Sequence, residues 1–60
     1  MGTEQWHAII YYRNGATKEC AFSNDRSSTE RMAQMIFDQD SGTAISNFFM
    51  PTRIEIVRDR

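Results

Sequence analysis

The sequence predicts an α+β fold: a three-stranded antiparallel sheet in spatial order 2-1-3 with one helix packed on one face, the elements running ββαβ. Three observations lead there. Two runs rich in β-forming residues, 6–13 and 16–23, flank Asn14-Gly15, the strongest short-range hairpin signal. A helix-start pattern at Ser27 opens a broad apolar stripe, and an alternating run closes the chain at residues 53–58. Sixty residues make one small domain, 1–60, in the size range where only about 60% of the unfolded chain's surface is buried on folding.

The first two strands depend on their turn. A two-residue turn at Asn14-Gly15 would pair Arg13 with Ala16 and mix polar and apolar residues on both faces. A three-residue loop, 13–15, with Gly15 left-handed, pairs Tyr12 with Ala16 instead. One face then gathers Trp6, Ala8, Ile10, Tyr12, Ala16, Cys20 and Phe22, with Lys18 its only charge. The other gathers His7, Ile9, Tyr11, Thr17, Glu19 and Ala21. The second register sorts the residues better, and a one-residue slip would invert a whole strand.

Ser27 with Glu30 three residues on is a capping-box pattern, so a helix is expected to begin there. Met32, Ala33, Met35, Ile36 and Phe37 form its apolar stripe, and Asp40-Ser41-Gly42 is a stop after about three turns. Residues 43–49 have room for one further helical turn or two, because Ile45, Phe48 and Phe49 fall at the spacing of a single face. Met50 is extended by the proline after it. In the last strand Ile54 and Ile56 point inward and Glu55 and Val57 outward. A right-handed crossover sets strands two and three parallel, with the most apolar strand between them. Met1 to Gln5 and the last residues are expected outside the folded part.

Forty per cent hydrophobic and 25% charged residues describe a globular chain. Seven basic against eight acidic residues leave no electrostatic excess for non-specific nucleic-acid binding. A single cysteine, Cys20, makes no internal disulfide, which together with the absence of a signal-peptide pattern or a membrane-length apolar run predicts a cytoplasmic protein. His7 and Cys20 project from opposite faces in the bulged register, so neither a shared metal nor a Cys-His nucleophile is expected. No Cys-x-x-Cys, phosphate loop or nucleophile elbow is present. The expectation is therefore a protein without enzymatic activity, cofactor or metal.

The sheet face without a helix is the informative surface. His7, Ile9, Tyr11 and Val57 form a partly apolar patch rimmed by Arg13, Thr17, Glu19 and Glu55, as an interface would be. Arg58 and Arg60, two apart on an extended segment, are placed to reach one acidic surface together. The two edge strands offer backbone pairing to another sheet, with Lys18 and Arg58 as charged deterrents.

Trp6 opening the first strand, the hairpin, the helix and a last strand reading Ile54-Glu55-Ile56-Val57-Arg58-Asp59-Arg60 resemble the small RNA polymerase inhibitor of podophages that infect enterobacteria. That family's final strand carries an apolar-Glu-Val-x-Arg-x-Arg run whose arginines help dock on the jaw of the polymerase β′ subunit. The matching positions here are Glu55, Arg58 and Arg60. The resemblance implies a phage- or prophage-type protein that binds and modulates a larger bacterial host protein, RNA polymerase first among the candidates. The expected partner-binding set is His7, Ile9, Tyr11, Arg13, Glu55, Val57, Arg58 and Arg60. Two other readings stand beside it. One is a single-stranded nucleic-acid binder using His7, Tyr11, Arg13 and Lys18; the other is a homodimer packing its open sheet faces.

Overall fold

The computed structural model describes residues 4–60. Strands β1 (Trp6–Tyr12) and β2 (Thr17–Ser23), helix α1 (Arg26–Thr43), a 3-10 turn (Asn47–Phe49) and strand β3 (Pro51–Arg58) follow in that order. The sheet is ordered β2-β1-β3, with β1 antiparallel to both neighbours. The α+β class, the element order and the central position of the most apolar strand are as the sequence predicts. The third strand begins two residues earlier than expected, at Pro51, whose missing N–H is harmless on an edge.

The hairpin takes the bulged register. Ile10 faces Lys18 and Tyr11 faces Thr17, and the Tyr12 N–H donates to the Ala16 carbonyl at 2.9 Å. Gly15 has φ +91°, and its N–H closes the loop onto the Tyr12 carbonyl. The Asn14 side chain accepts from the Ala16 N–H, which fixes the far side of the turn.

A second irregularity has no sequence precursor. Pairing slips between Trp6 and Ala8, where Ala21 adopts φ +59°. A non-glycine residue in that region costs about 1–2 kcal/mol, so it persists only where its surroundings hold it. Buried Thr29, on α1, supplies the hold: its Oγ1 donates to the Ala21 carbonyl at 2.9 Å. This bulge overturns the placement of Phe22 in the core. The side chain crosses to the helix-free face, where it is 63% exposed.

Helix α1 also departs from expectation at both ends. Its cap is Asp25 rather than Ser27: the Asp25 carboxylate accepts from the Ser28 N–H at 2.9 Å and from the Ser28 hydroxyl at 3.0 Å. An ionised cap also complements the positive helix terminus. The helix then runs 18 residues, straight through Gly42. Asp40 explains the extra length, because its carboxylate accepts from both the Tyr12 hydroxyl and Lys18 Nζ and so ties the late turns to the sheet. The buried stripe is Thr29 and Ala33, with Met32, Ile36 and Phe37 half-buried, whereas Met35 is solvent-exposed.

The fully enclosed apolar core is small: Ala8 and Ile10 on β1 and Ala33 on α1, all with no exposed surface. Ile54 and Ile56, opposite Ile10 and Ala8, extend it under the helix. The short helical turn expected between the helix and the last strand is present, as the 3-10 turn Asn47–Phe49, while Ile45 lies outside it. Ile45, Phe48 and Phe49 are all exposed, with Phe48 and Phe49 edge-to-face on one another. No helix is long and apolar enough to cross a membrane, among the described residues.

Gln5 and the last two residues are paired, contrary to the expectation of loose ends. The Asp59 N–H donates to the Gln5 carbonyl at 2.6 Å, and the Gln5 N–H to the Arg60 carbonyl at 3.3 Å. Residues 1–3, which belong to the same expectation, lie outside the described residues.

Candidate interaction face

Side-chain alternation along β1 puts His7, Ile9 and Tyr11 on the face away from α1, and the register of β3 sets Val57, Glu55 and Arg53 beside them. On the other flank lie Glu19 and Thr17, with Phe22 delivered by the Ala21 bulge. Five of the eight predicted contact residues, His7, Ile9, Tyr11, Glu55 and Val57, therefore share one uncovered sheet face.

Within that face the side chains are organised rather than loose. The Tyr11 hydroxyl donates to Glu55 Oε1 at 2.6 Å, and the Arg53 guanidinium lies 3.8 Å from the centroid of the Tyr11 ring. The bond from Glu55 is the main cause that raises the Tyr11 pKa above its ordinary value. A nucleobase seeking the Tyr11 ring would first have to displace Arg53. Ile9 and Val57 are half-buried by their neighbours and form the apolar centre.

His7 corrects the expectation of a surface histidine, being only 8% exposed. Phe22 stacks on its ring at a centroid distance of 5.1 Å, and Nδ1 lies 2.7 Å from Asp59 Oδ2. Glu19 stands 3.9 Å from the other ring nitrogen. His7 thus joins all three strands at one end of the face and supports Phe22, which is the residue presented to solvent. Sequence reasoning missed Phe22 and Arg53 as members of this face. The first needed the bulge; the second was available from the odd-numbered alternation of β3.

The remaining predicted residues are elsewhere. Arg13 lies in the hairpin loop, beyond the end of the sheet. Arg58 is paired with Trp6 on the helix side, its guanidinium 5.8 Å from the Trp6 ring, with Nε donating to the Arg60 carbonyl at 2.8 Å. Arg26 approaches the same ring at 5.6 Å, so two guanidinium groups lie near the Trp6 indole. Glu55 and Arg58 consequently occupy opposite faces of β3. A contact using both would have to wrap the β3 edge.

Cys20 is half-buried on the helix side opposite Ala8, so it and His7 are on opposite faces of the sheet. Burial raises the thiol pKa, against the opposing pull of Lys18. Among the described residues, no group of three or more His, Cys, Asp or Glu side chains is arranged to hold a metal ion. At the other end of the helix side, Tyr12, Asp40, Thr43, Ala44, Ile45 and Phe49 line an open groove of about 260 Å³.

No protein-family model matches the chain, and no curated protein or solved structure matches it either.

Proposed function

We propose that the protein is a non-enzymatic binding module that sets its uncovered sheet face against a larger bacterial protein and modulates it. The observation that carries the reading is the makeup of that face. Phe22, Ile9, Tyr11 and Val57 form one apolar and aromatic strip edged by Arg53, Glu55 and Glu19, while among the described residues the fully enclosed apolar core is Ala8, Ile10 and Ala33. Aromatic residues at the centre of a polar rim are what a protein interface concentrates. RNA polymerase is the first partner to test, on the strength of the seven-residue resemblance in the last strand.

The test is binding of the purified chain to purified bacterial RNA polymerase by interferometry. The variants are Ile9→Lys and Phe22→Ala on the face, with Arg31→Glu on the exposed side of α1 as control. The reading expects stoichiometric binding that weakens at least about tenfold with either face variant, the loss expected of a central contact residue, and stays unchanged in the control. Failure of the wild type to bind removes polymerase as the target. Binding that survives both face variants removes the sheet face as the contact, whatever the partner.

A further inference from the structure

The two edges of the sheet are not equally guarded. The β2 edge is interrupted by the Ala21 bulge. The β3 edge pairs without interruption from Arg53 to Arg58, and its expected deterrent, Arg58, is exposed but lies at the far end of the strand, its guanidinium 5.8 Å from the Trp6 ring. An unbroken edge of unpaired backbone groups is a template for a further strand.

The hydrogen-bond phase of β3 follows from its ends. The Asp59 N–H is committed to Gln5 on the β1 side, so by alternation Arg53, Glu55 and Val57 turn their backbone groups to β1. Ile54, Ile56 and Arg58 turn theirs outward. We propose that two copies of this chain associate edge to edge through β3, antiparallel across a twofold axis at Ile54. The result is a continuous six-stranded sheet.

Charge complementarity selects that register. Opposite residues must lie on the same face, so the axis has to pass through a residue rather than between two. Centred on Ile54, the two Ile54 residues exchange backbone bonds, and Arg53 of each copy stands opposite Glu55 of the other. Both are non-hydrogen-bonded pairs, in which side chains approach most closely. Centring on Arg53 or Glu55 would oppose like charges. Centring on Ile56 would set Arg53 opposite Asp59 but leave Glu55 opposite Val57, without a charge partner. Arg53 and Glu55 share the open face, where both also contact Tyr11.

The helices permit this arrangement. A twofold axis normal to the sheet places both on the same side, and α1 packs evenly over all three strands, so the helices sit above the two β1 strands. Three strand spacings separate those strands by roughly 14 Å, wider than the about 10–12 Å diameter of a helix with its side chains. The uncovered faces merge into one surface of twice the width. Phe48 and Phe49, exposed just before β3, come to lie beside the carboxyl end of the other copy's β3.

Sedimentation equilibrium over about 10 to 500 µM tests the proposal, since self-association is concentration-dependent. The wild type is expected to dimerise. Arg53→Glu and Glu55→Arg each create two like-charge pairs and are expected to weaken association about tenfold or more. The double variant Arg53→Glu/Glu55→Arg, and an equimolar mixture of the two single variants, regain complementary pairs and are expected to recover it. That recovery also shows that the single variants fold. Amide exchange at Ile54 and Ile56 of the wild type should slow as concentration rises. A wild type that remains monomeric throughout overturns the proposal, and so do single variants that associate as well as the wild type. A dimer whose Ile54 and Ile56 amides exchange independently of concentration overturns the β3 edge as its seam.

Discussion

Replacing Thr29 by valine tests whether the Ala21 bulge is held from the helix. Valine has nearly the same shape, so the packing around position 29 is kept and only the hydroxyl is lost. That hydroxyl donates to the Ala21 carbonyl at 2.9 Å from a side chain with no exposed surface. A typical net hydrogen bond contributes about 1 kcal/mol, and a buried carbonyl left unpaired costs about 1–3 kcal/mol. The extra apolar methyl returns part of this, up to about 0.8 kcal/mol. The expected loss is about 1–2 kcal/mol, from a total stability of about 3–9 kcal/mol for a chain this long. In urea, with a slope near about 1 kcal/mol per molar for a small protein, the midpoint should fall by about 1–2 M. Trp6 fluorescence follows the transition, and proton NMR of the His7 ring reports whether Phe22 still stacks on it. If Thr29→Val unfolds within about 0.3 M of the wild type and the His7 ring signals do not move, the bulge is held by something other than this bond.

Ile10→Ala, in the central strand, should cost about 2–5 kcal/mol, a large share of the total, and lower the melting temperature markedly, as read by circular dichroism. Ala21→Val should destabilise despite valine's better β propensity, because a β-branched residue at φ +59° is strained; a raised melting temperature would contradict the assigned conformation. The Asp25 pKa is lowered by its bonds to Ser28, so this cap's stabilisation is present above about pH 3.8 and is lost as pH falls through the lower folded value; Asp25→Asn should flatten the acid limb of a melting curve series. The Tyr12 pKa is raised by burial and then by Asp40, so its stabilisation is complete below about pH 10 and is lost as pH rises through the higher folded value. Tyrosinate absorbance should therefore grow together with loss of structure, and Asp40→Asn should weaken that coupling.

Sequence alone reached the fold because each element has a local cause. Asn14-Gly15 specifies the loop, the alternation of residues 6–12 specifies a face, and a glycine free to take φ +91° makes Tyr12 inward and Tyr11 outward. The helix limits were less legible because they are tertiary. Gly42 reads as a stop, and only the reach of Asp40 to Tyr12 and Lys18 shows why the helix passes it. The same holds for the site. Ile9, Tyr11, Glu55 and Val57 follow from parity, but His7 was expected at the surface because nothing in the run 20–23 announces that Ala21 will turn left-handed and bring Phe22 over it. Arg58 was grouped with Glu55 as a contact residue, although parity already sets it on the side of Ile54 and Ile56; what parity does not show is the indole beside it.

Those misplacements share an energetic consequence. Phe22, Met35, Ile45, Phe48 and Phe49 remain largely in water, while among the described residues the fully enclosed apolar core is Ala8, Ile10 and Ala33. Fully burying one large exposed apolar side chain contributes about 1.5–3 kcal/mol and these five are already partly covered, so burying what remains of all five would supply free energy of the order of what the whole fold retains, about 3–9 kcal/mol. A surface with that capacity cannot be energetically separate from folding: whatever covers it stabilises the native chain by mass action, about 2.7 kcal/mol at a hundredfold excess over Kd. Phe22 lies on the open sheet face, whereas Phe48 and Phe49 precede the β3 edge, so the two surfaces can be occupied together. Edge pairing through β3 would then present two Phe22-bearing faces side by side, and a partner bound across both would gain from the second contact without any new type of interaction.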